Sequence, residues 1–373
     1  MAITVDTNFP TGVLGTIEDR RADRVQARLY RERAADGVNT QATWFHARLT
    51  GVEQPSELVL TGLHDVYNGQ PGAHSIDERD KPVLSLDGRT WQRVSAARFD
   101  RAAETLTIPL PVADELWVAM LEPYGPAELA TLEQAVRECA WASTTSVGAT
   151  VEGRPLPCWT IGDPGAPRAV WLMARQHAWE THTSWCLEGA VRWLLGPGGQ
   201  ALASRCVCCV LPMMDPDGVE RGATRVNRHG FDLNRHWQAT DPDDAEHRRL
   251  RPEVCAAKAA TRDWLAHGRP VDVHLNLHDT QRDVMEAPRA VVDAPVLRGL
   301  HERMVASGYS GPLRAGGGGQ DSVEHGLHAE FGLVAALIEL GTAEVPTLGG
   351  SPSAAQRAAF GADLARALAE LLG

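Results

Sequence analysis

Several things that a membrane or secreted protein would need are missing from this sequence. No uninterrupted apolar run reaches the length of about 18 residues that a spanning helix requires, so no membrane association is expected. The opening stretch, MAITVDTNFPTGVLGTIEDRRADR, has no basic segment followed by an apolar core, so no secretory signal is expected. An excess of positive charge is also missing. Lys and Arg number 36 against 48 Asp and Glu, a formal net charge of −12. That argues against nucleic acid as a partner, since a general binder would carry a basic face; if anything it favours basic substrates slightly. Seven cysteines is an odd number, and three of them crowd into RCVCCVLP, which reads as a buried strand and not as part of a disulfide framework. A reducing cytoplasm is the expected location. There is no internal repeat, and GGGG at 316–319 is too short to link domains. Nothing in the sequence selects an oligomeric state.

A chain of 373 residues suggests two domains, and the patterning divides it in two. In residues 1–124, TWFHARLTG, ELVLTGL, LTIPLPV and ELWVAMLEPY read as strands separated by turn residues. No helical pattern competes between residues 40 and 120, so an antiparallel β-sandwich domain is expected there. In residues 125–373 the pattern changes. PAELATLEQAVRECAWA, THTSWCLEGAVRWLL, RPEVCAAKAATRDWLAHG and AAQRAAFGADLARALAELL have helical spacing. Between or after them come short unbroken apolar runs, AVWLMAR, CVCCVLPMM, VDVHLNLH and LVAALIEL, as in a sheet covered on both faces. The expectation is an α/β domain with a mixed, mostly parallel sheet flanked by helices.

Ligand sites in such sheets form at strand ends. In RQHAWETHTSW, His177 follows an apolar strand and Glu180 begins the next helix, so both side chains can point at one ion. Taken alone, a His-x-x-Glu pair is more often structural or solvated, since it also arises from helical neighbours. A catalytic zinc needs a third protein ligand and an open position. VDVHLNLHD offers His274 and His278, which share a strand face. His278 stands at the strand terminus, whereas His274 lies deeper and reads as a hydrogen-bonded core histidine. Two His and one Glu suit zinc. In DPDGVERGATRVNRHGFDLNRHW, the DPDG and RHG pieces read as turns. Arg225, Asn234 and Arg235 form either a solvated basic loop or a grip for a carboxylate, which a guanidinium holds bidentately.

The order His-x-x-Glu, DPDG, Arg, Asp-x-Asn-Arg, strand-borne His and strand-borne Glu resembles the zinc metallocarboxypeptidases of the carboxypeptidase A type (M14), and more narrowly the cytosolic carboxypeptidases and their bacterial relatives. The resemblance covers the chain from about residue 40. It implies a hydrolase with one zinc ion held by His177, Glu180 and His278. It further implies that Arg225 stabilises the oxyanion, that Asn234 and Arg235 hold the terminal carboxylate, and that Glu339 in AALIELGT activates the water. Glu330 and Glu344 compete for that last role, but neither ends an apolar strand. The implied substrate is a peptide or peptide-like molecule with a free carboxylate. The alternative is a zinc amidohydrolase or deacylase acting on N-acyl amino acids, and a non-catalytic carboxylate-binding protein is a third reading.

The sequence departs from the subgroup in places. The subgroup's His-Pro-Gly-Glu stands here as His-Ala-Trp-Glu, so Trp179 is expected either to wall the inner substrate subsites or to pack under the helix. The segment RAGGGGQDSVEHGLHAEFG holds no tyrosine, and Tyr309 lies upstream of it, which leaves the family's mobile tyrosine unassigned. The same segment offers Gln320, Asp321 and Glu324, where acidic loop residues would favour a basic terminal side chain.

Overall fold

The computed structural model describes residues 2–35, 37, 39–67, 69–74, 76–316, 319, 321–343 and 345–373. Its contacts group into two compact units. One comprises Met1–Gly125 with Gly218–Val226; the other comprises Pro126–Asp217 with Asn227–Gly373.

The first unit is β-rich. One five-stranded sheet joins, in spatial order, Thr4–Asp6, His46–Val52, Ala113–Ala119, Val83–Ser85 and Gln92–Arg93, all antiparallel. A second joins Arg98–Asp100, Thr105–Leu110, Ser56–Thr61, Arg24–Arg28 and Thr16–Arg20, in which only Arg24–Arg28 and Ser56–Thr61 run parallel. The alternation in the sequence accounts for these sheets. Leu106, Ile108 and Leu110 are buried while Thr105, Thr107 and Pro109 between them are less so. The three strands before residue 30 carry no apolar run: TVD is only three residues long, and TIEDR and RVQAR are rich in charge.

The second unit is built on an eight-stranded mixed sheet. Its strands are β1 (Ala142–Ala149), β2 (Pro155–Ile161), β3 (Arg168–Met173), β4 (Cys206–Leu211), β5 (Val273–Thr280), β6 (Val284–Ala287), β7 (Leu313–Ala315) and β8 (Ala335–Gly341). In space the order is β1-β2-β4-β3-β5-β8-β6-β7, with the central strands β4, β3, β5 and β8 mutually parallel. The main helices are α1 (Pro126–Glu138), α2 (Thr181–Leu195), α3 (Pro252–Ala266), α4 (Pro295–Ala306), α5 (Val323–Phe331) and α6 (Ala354–Leu372). Both faces of the sheet are covered, which is why β4 can be CVCCVL with every residue buried and all its cysteines free. Odd and even residues enter different cores. Val170 and Leu172 meet α1, α2, α4 and α6, while Trp171 and Met173 meet α3 and α5.

On the first face, α2 and α6 cross closely. A Cβ on Gly361 would fall 1.7 Å from the Cys186 carbonyl oxygen, and one on Gly189 would fall 1.8 Å from that of Ala358. Only glycine permits this approach. On the second face, β5 presents His274, Asn276 and His278, since its Val273, Leu275 and Leu277 belong to the first core. Among the described residues, no helix is long and apolar enough to cross a membrane.

Two local expectations are corrected. The DPDG segment is not a simple turn, because Pro216–Arg221 is a short helix with Pro at its start, where its missing N–H is not needed. The stretch after the glycine run is not all loop: Val323 begins α5, so Glu324 is helical and fully buried.

Candidate metal centre

The parallel strands β3, β5 and β8 end side by side, and their ends carry the site. After β3 the chain makes a tight turn in which Arg175 adopts φ +59°, a conformation that costs a non-glycine residue energy. Local bonds hold the turn. The buried Arg175 guanidinium donates to the Ala178 carbonyl (2.9 Å) and to Ser184 Oγ (2.9 Å). The Arg175 carbonyl accepts from the Asp215 amide (3.0 Å). Glu180 occupies the N-cap of α2 but makes no side-chain cap; its backbone carbonyl instead accepts from Thr183 Oγ1 (2.7 Å). The carboxylate is thereby left for another use.

His177, Glu180 and His278 converge, with one ligand atom from each within 4.8 Å of the others. All three are at most 2% exposed. His177 Nδ1 lies 2.6 Å from Glu180 Oε1, and His278 Nδ1 lies 2.9 Å from Glu180 Oε2. The outer ring nitrogens are engaged elsewhere. His177 Nε2 lies 3.0 Å from Asp232 Oδ1, and His278 Nε2 lies 3.0 Å from Gln176 Oε1. Both partners are acceptors, so each Nε2 carries its proton outward, and in the neutral rings each Nδ1 turns a lone pair toward Glu180.

Two imidazole lone pairs and a carboxylate that face one another in a dry pocket repel unless a cation lies among them. Glu180 Oε2 is buried without a hydrogen bond, although His278 Nδ1 is at contact distance. Burial pushes the Glu180 carboxyl upward, but the attraction and hydrogen bonds of His177 and His278, when their rings are protonated, outweigh it and hold the group at about 2, so that it is a carboxylate. Two imidazole nitrogens and a carboxylate fit a zinc ion, which takes these donors and leaves a coordination position open.

Glu339 of β8 stands directly opposite His278 of β5 in the parallel register and on the same sheet face. Asn234 is buried, with its amide oxygen accepting from the Val323 amide at the start of α5 (3.0 Å). Arg235 Nη1 donates to the Asn234 carbonyl (2.9 Å). Arg225 belongs to the first unit, where Glu32 accepts from its backbone amide and its guanidinium lies over the Tyr67 ring at 5.8 Å.

The remaining candidates separate clearly. His274 is 1% exposed, stacks on Trp171 at 6.3 Å and lies outside the metal cluster. It is a core histidine as expected, but neither ring nitrogen has a hydrogen bond. Burial lowers it to about 3, so it stays neutral. Glu324 is not a loop acid facing substrate, since it is buried and accepts from Asn276 Nδ2 (2.9 Å). Asp321 Oδ1 accepts from the Gln238 amide (2.7 Å). Glu330 pairs with Lys258. Tyr309 is buried and donates its hydroxyl to the Glu339 carbonyl (2.9 Å). Gln320 and Glu344 lie outside the described residues. Trp179 is 7% exposed, and its indole nitrogen is buried without a partner. Asp232, Gln176 and Arg175 were missed in the sequence. Asp232 had a readable signal, since it opens the Asp-x-Asn-Arg piece already singled out.

Two family models match this chain in succession. The zinc carboxypeptidase (peptidase M14) family model matches residues 129–295, and the cytosolic carboxypeptidase N-terminal domain model matches residues 5–120, well before the position where the resemblance was first legible. An uncharacterized protein of Zymomonas mobilis is 29% identical over 243 residues, 64% of this chain and 60% of that protein. Human cytosolic carboxypeptidase 1 is 35% identical over 115 residues, which is 30% of this chain and 9% of that protein. The chain therefore spans only part of the length of these relatives. A metallo-carboxypeptidase structure from Burkholderia cenocepacia superposes with a TM-score of 0.84 at 25% identity, covering 99% of this chain and 98% of that one. A Pseudomonas aeruginosa metallo-carboxypeptidase bound to (2-guanidinoethylmercapto)succinic acid shares the fold, with a TM-score of 0.80 at 23% identity, covering 99% and 98% of the two chains. The chain therefore carries an M14 zinc carboxypeptidase domain, matched over residues 129–295, behind a cytosolic carboxypeptidase N-terminal domain, matched over residues 5–120.

Proposed function

We propose that the protein is a zinc carboxypeptidase that releases the C-terminal residue of a peptide or peptide-like substrate bearing a free carboxylate. The observation that carries this reading is the placement of Glu339 beside His278, in register on the neighbouring parallel strand, where the His177–Glu180–His278 cluster calls for a cation. His177 Nδ1, His278 Nδ1 and the Glu180 carboxylate would hold one zinc ion. Zinc in such a donor set lowers the pKa of a coordinated water and polarises a carbonyl.

The chain's own groups then divide the work. Glu339 receives the proton of the attacking water and delivers it to the departing amine. The Asn234 amide oxygen is committed to α5, which leaves its NH2 end for the substrate carboxylate. Arg235, held by the Asn234 carbonyl, adds a charge-assisted contact to the same carboxylate. Together they orient the scissile bond. For Arg225 the oxyanion role rests on the sequence motif alone. The seven cysteines are all free, which fits a reducing compartment, and we place the enzyme in the cytoplasm.

The test is Glu339→Gln. The variant is expected to bind one zinc per chain, by metal analysis, and to lose at least about a hundredfold in kcat, the lower range for positioned acid–base groups. Normal turnover by this variant would overturn the assignment. An assay panel that pairs free peptides with N-acyl amino acids separates a carboxypeptidase from a deacylase.

A further inference from the structure

Behind His278 lies a buried polar network, of which the metal reading uses only the Gln176 oxygen. Asn276, Gln176 and Glu324 are each fully buried. Asn276 Nδ2 lies 2.9 Å from Gln176 Oε1, 2.9 Å from Glu324 Oε1 and 2.9 Å from His278 Nε2. Gln176 Nε2 donates to the Leu233 carbonyl (2.6 Å), so the Gln176 oxygen must face inward. An amide NH2 has two protons, and three neighbours stand within reach. Two of them, Gln176 Oε1 and Glu324 Oε1, are pure acceptors and claim both protons. His278 Nε2 must then donate its own proton to Gln176 Oε1, at 3.0 Å.

The reverse orientation of Asn276 fails. It would set the Asn276 oxygen against the Gln176 and Glu324 oxygens, three acceptors with no proton between them. The actual orientation has its own cost, because Asn276 Oδ1 and Glu324 Oε2 are buried without partners. The geometry accepts those two unmet oxygens and keeps the direction of the amide.

We infer that Glu324, acting through Asn276 and Gln176, is a positioning residue that fixes the tautomer and ring orientation of His278, so that Nδ1 presents its lone pair to the metal. The Gln176 link to Leu233 ties this ligand to the segment whose neighbour, Asp232, orients His177. Both histidines thus take their orientation from the Asp232–Asn234 stretch. Asn234 in turn bonds the amide of Val323, next to Glu324, and closes the loop. The inference rests on the reading of the cluster as a metal centre.

The experiment measures zinc affinity of the full chain by competition with a chromophoric chelator, with the thermal melt of the zinc-free protein as a control. Glu324→Leu removes the acceptor and is expected to weaken zinc binding about 10–100-fold, the usual effect of losing a partner behind a ligand. Glu324→Gln keeps an acceptor oxygen toward Asn276 and is expected to stay within about threefold of the parent, on the same hydrogen-bond logic. Gln176→Met removes the oxygen that His278 Nε2 faces and is expected to match Glu324→Leu. If Glu324→Gln loses as much as Glu324→Leu, charge and not orientation is at work, and the inference fails. If Glu324→Leu does not fold, unchanged affinity in Gln176→Met overturns it alone. A parent protein that binds no zinc would instead overturn the metal centre itself, an outcome distinct from unchanged variants of a zinc-binding parent.

Discussion

Lys258 is one of only two lysines in the chain, and it is 2% exposed. Its ammonium donates to the Trp237 carbonyl (2.8 Å) and the Thr240 carbonyl (2.5 Å) and pairs with Glu330 Oε2 (2.5 Å). It therefore pins the stretch that follows Arg235 onto α3 and α5. The perturbation is Lys258→Met, which keeps most of the apolar stem and removes three donors. The Glu330 side chain is 35% exposed and can rehydrate, so its loss contributes little. Trp237 is 0% and Thr240 is 1% exposed, so their carbonyls have poor access to water. Stranding each costs about 1–3 kcal/mol, offset in part because a buried charge is no longer desolvated. The expected net loss is about 3 kcal/mol, read as a shift in the urea midpoint at unchanged slope. A looser loop also orients Asn234 and Arg235 less well, so KM is expected to rise more than kcat falls. A loss below about 1 kcal/mol with an unchanged KM would refute the pin, since two stranded carbonyls together cost about 2 kcal/mol or more before the offset.

Two further predictions follow from buried side chains. Burial holds His274 at about 3 against an ordinary 6.5, so the folded state keeps it neutral while the unfolded chain takes up a proton below 6.5. Its contribution is full above pH 6.5 and is lost as pH falls toward 3, at up to about 1.4 kcal/mol per pH unit. His274→Leu is expected to flatten the acid limb of stability between pH 6 and 4, as measured by urea titrations, and an unchanged limb would contradict the burial argument. Trp179 is 7% exposed, so truncating it removes buried aromatic surface whichever role it has. Trp179→Ala is expected to cost about 3–5 kcal/mol, and unaltered stability would contradict that; the ratio of rates across peptide lengths separates the two roles, since packing beneath α2 leaves it alone and a subsite wall changes it.

The legible parts of the molecule were those written in apolar runs. AVWLMAR, VDVHLNLH and LVAALIEL announced central strands, and polar residues at their ends, His177, His278 and Glu339, stood out because a doubly covered sheet has little use for them. Strand parity also placed His274 and His278 on one face. What was not legible had weak local patterning or long-range partners. β1, ASTTSVGA, is an edge strand whose residues are all partly or fully exposed, so it carries no apolar signature. The buried role of Glu324 depends on Asn276, 48 residues away, and that of Gln176 on His278, 102 residues away. An acid on an ordinary helix start reads as solvated until its partner is known.

The most direct test pairs one peptide with a free C-terminal carboxylate and the same peptide amidated at that end, each incubated with zinc-loaded and chelator-stripped protein and followed by mass spectrometry. The expected result is loss of one C-terminal residue from the free peptide by the zinc-loaded protein alone, restored to the stripped protein when zinc is returned, with the amidated peptide untouched. Equal cleavage of both peptides, or cleavage that survives removal of the metal, would contradict a zinc carboxypeptidase that grips its substrate by the terminal carboxylate.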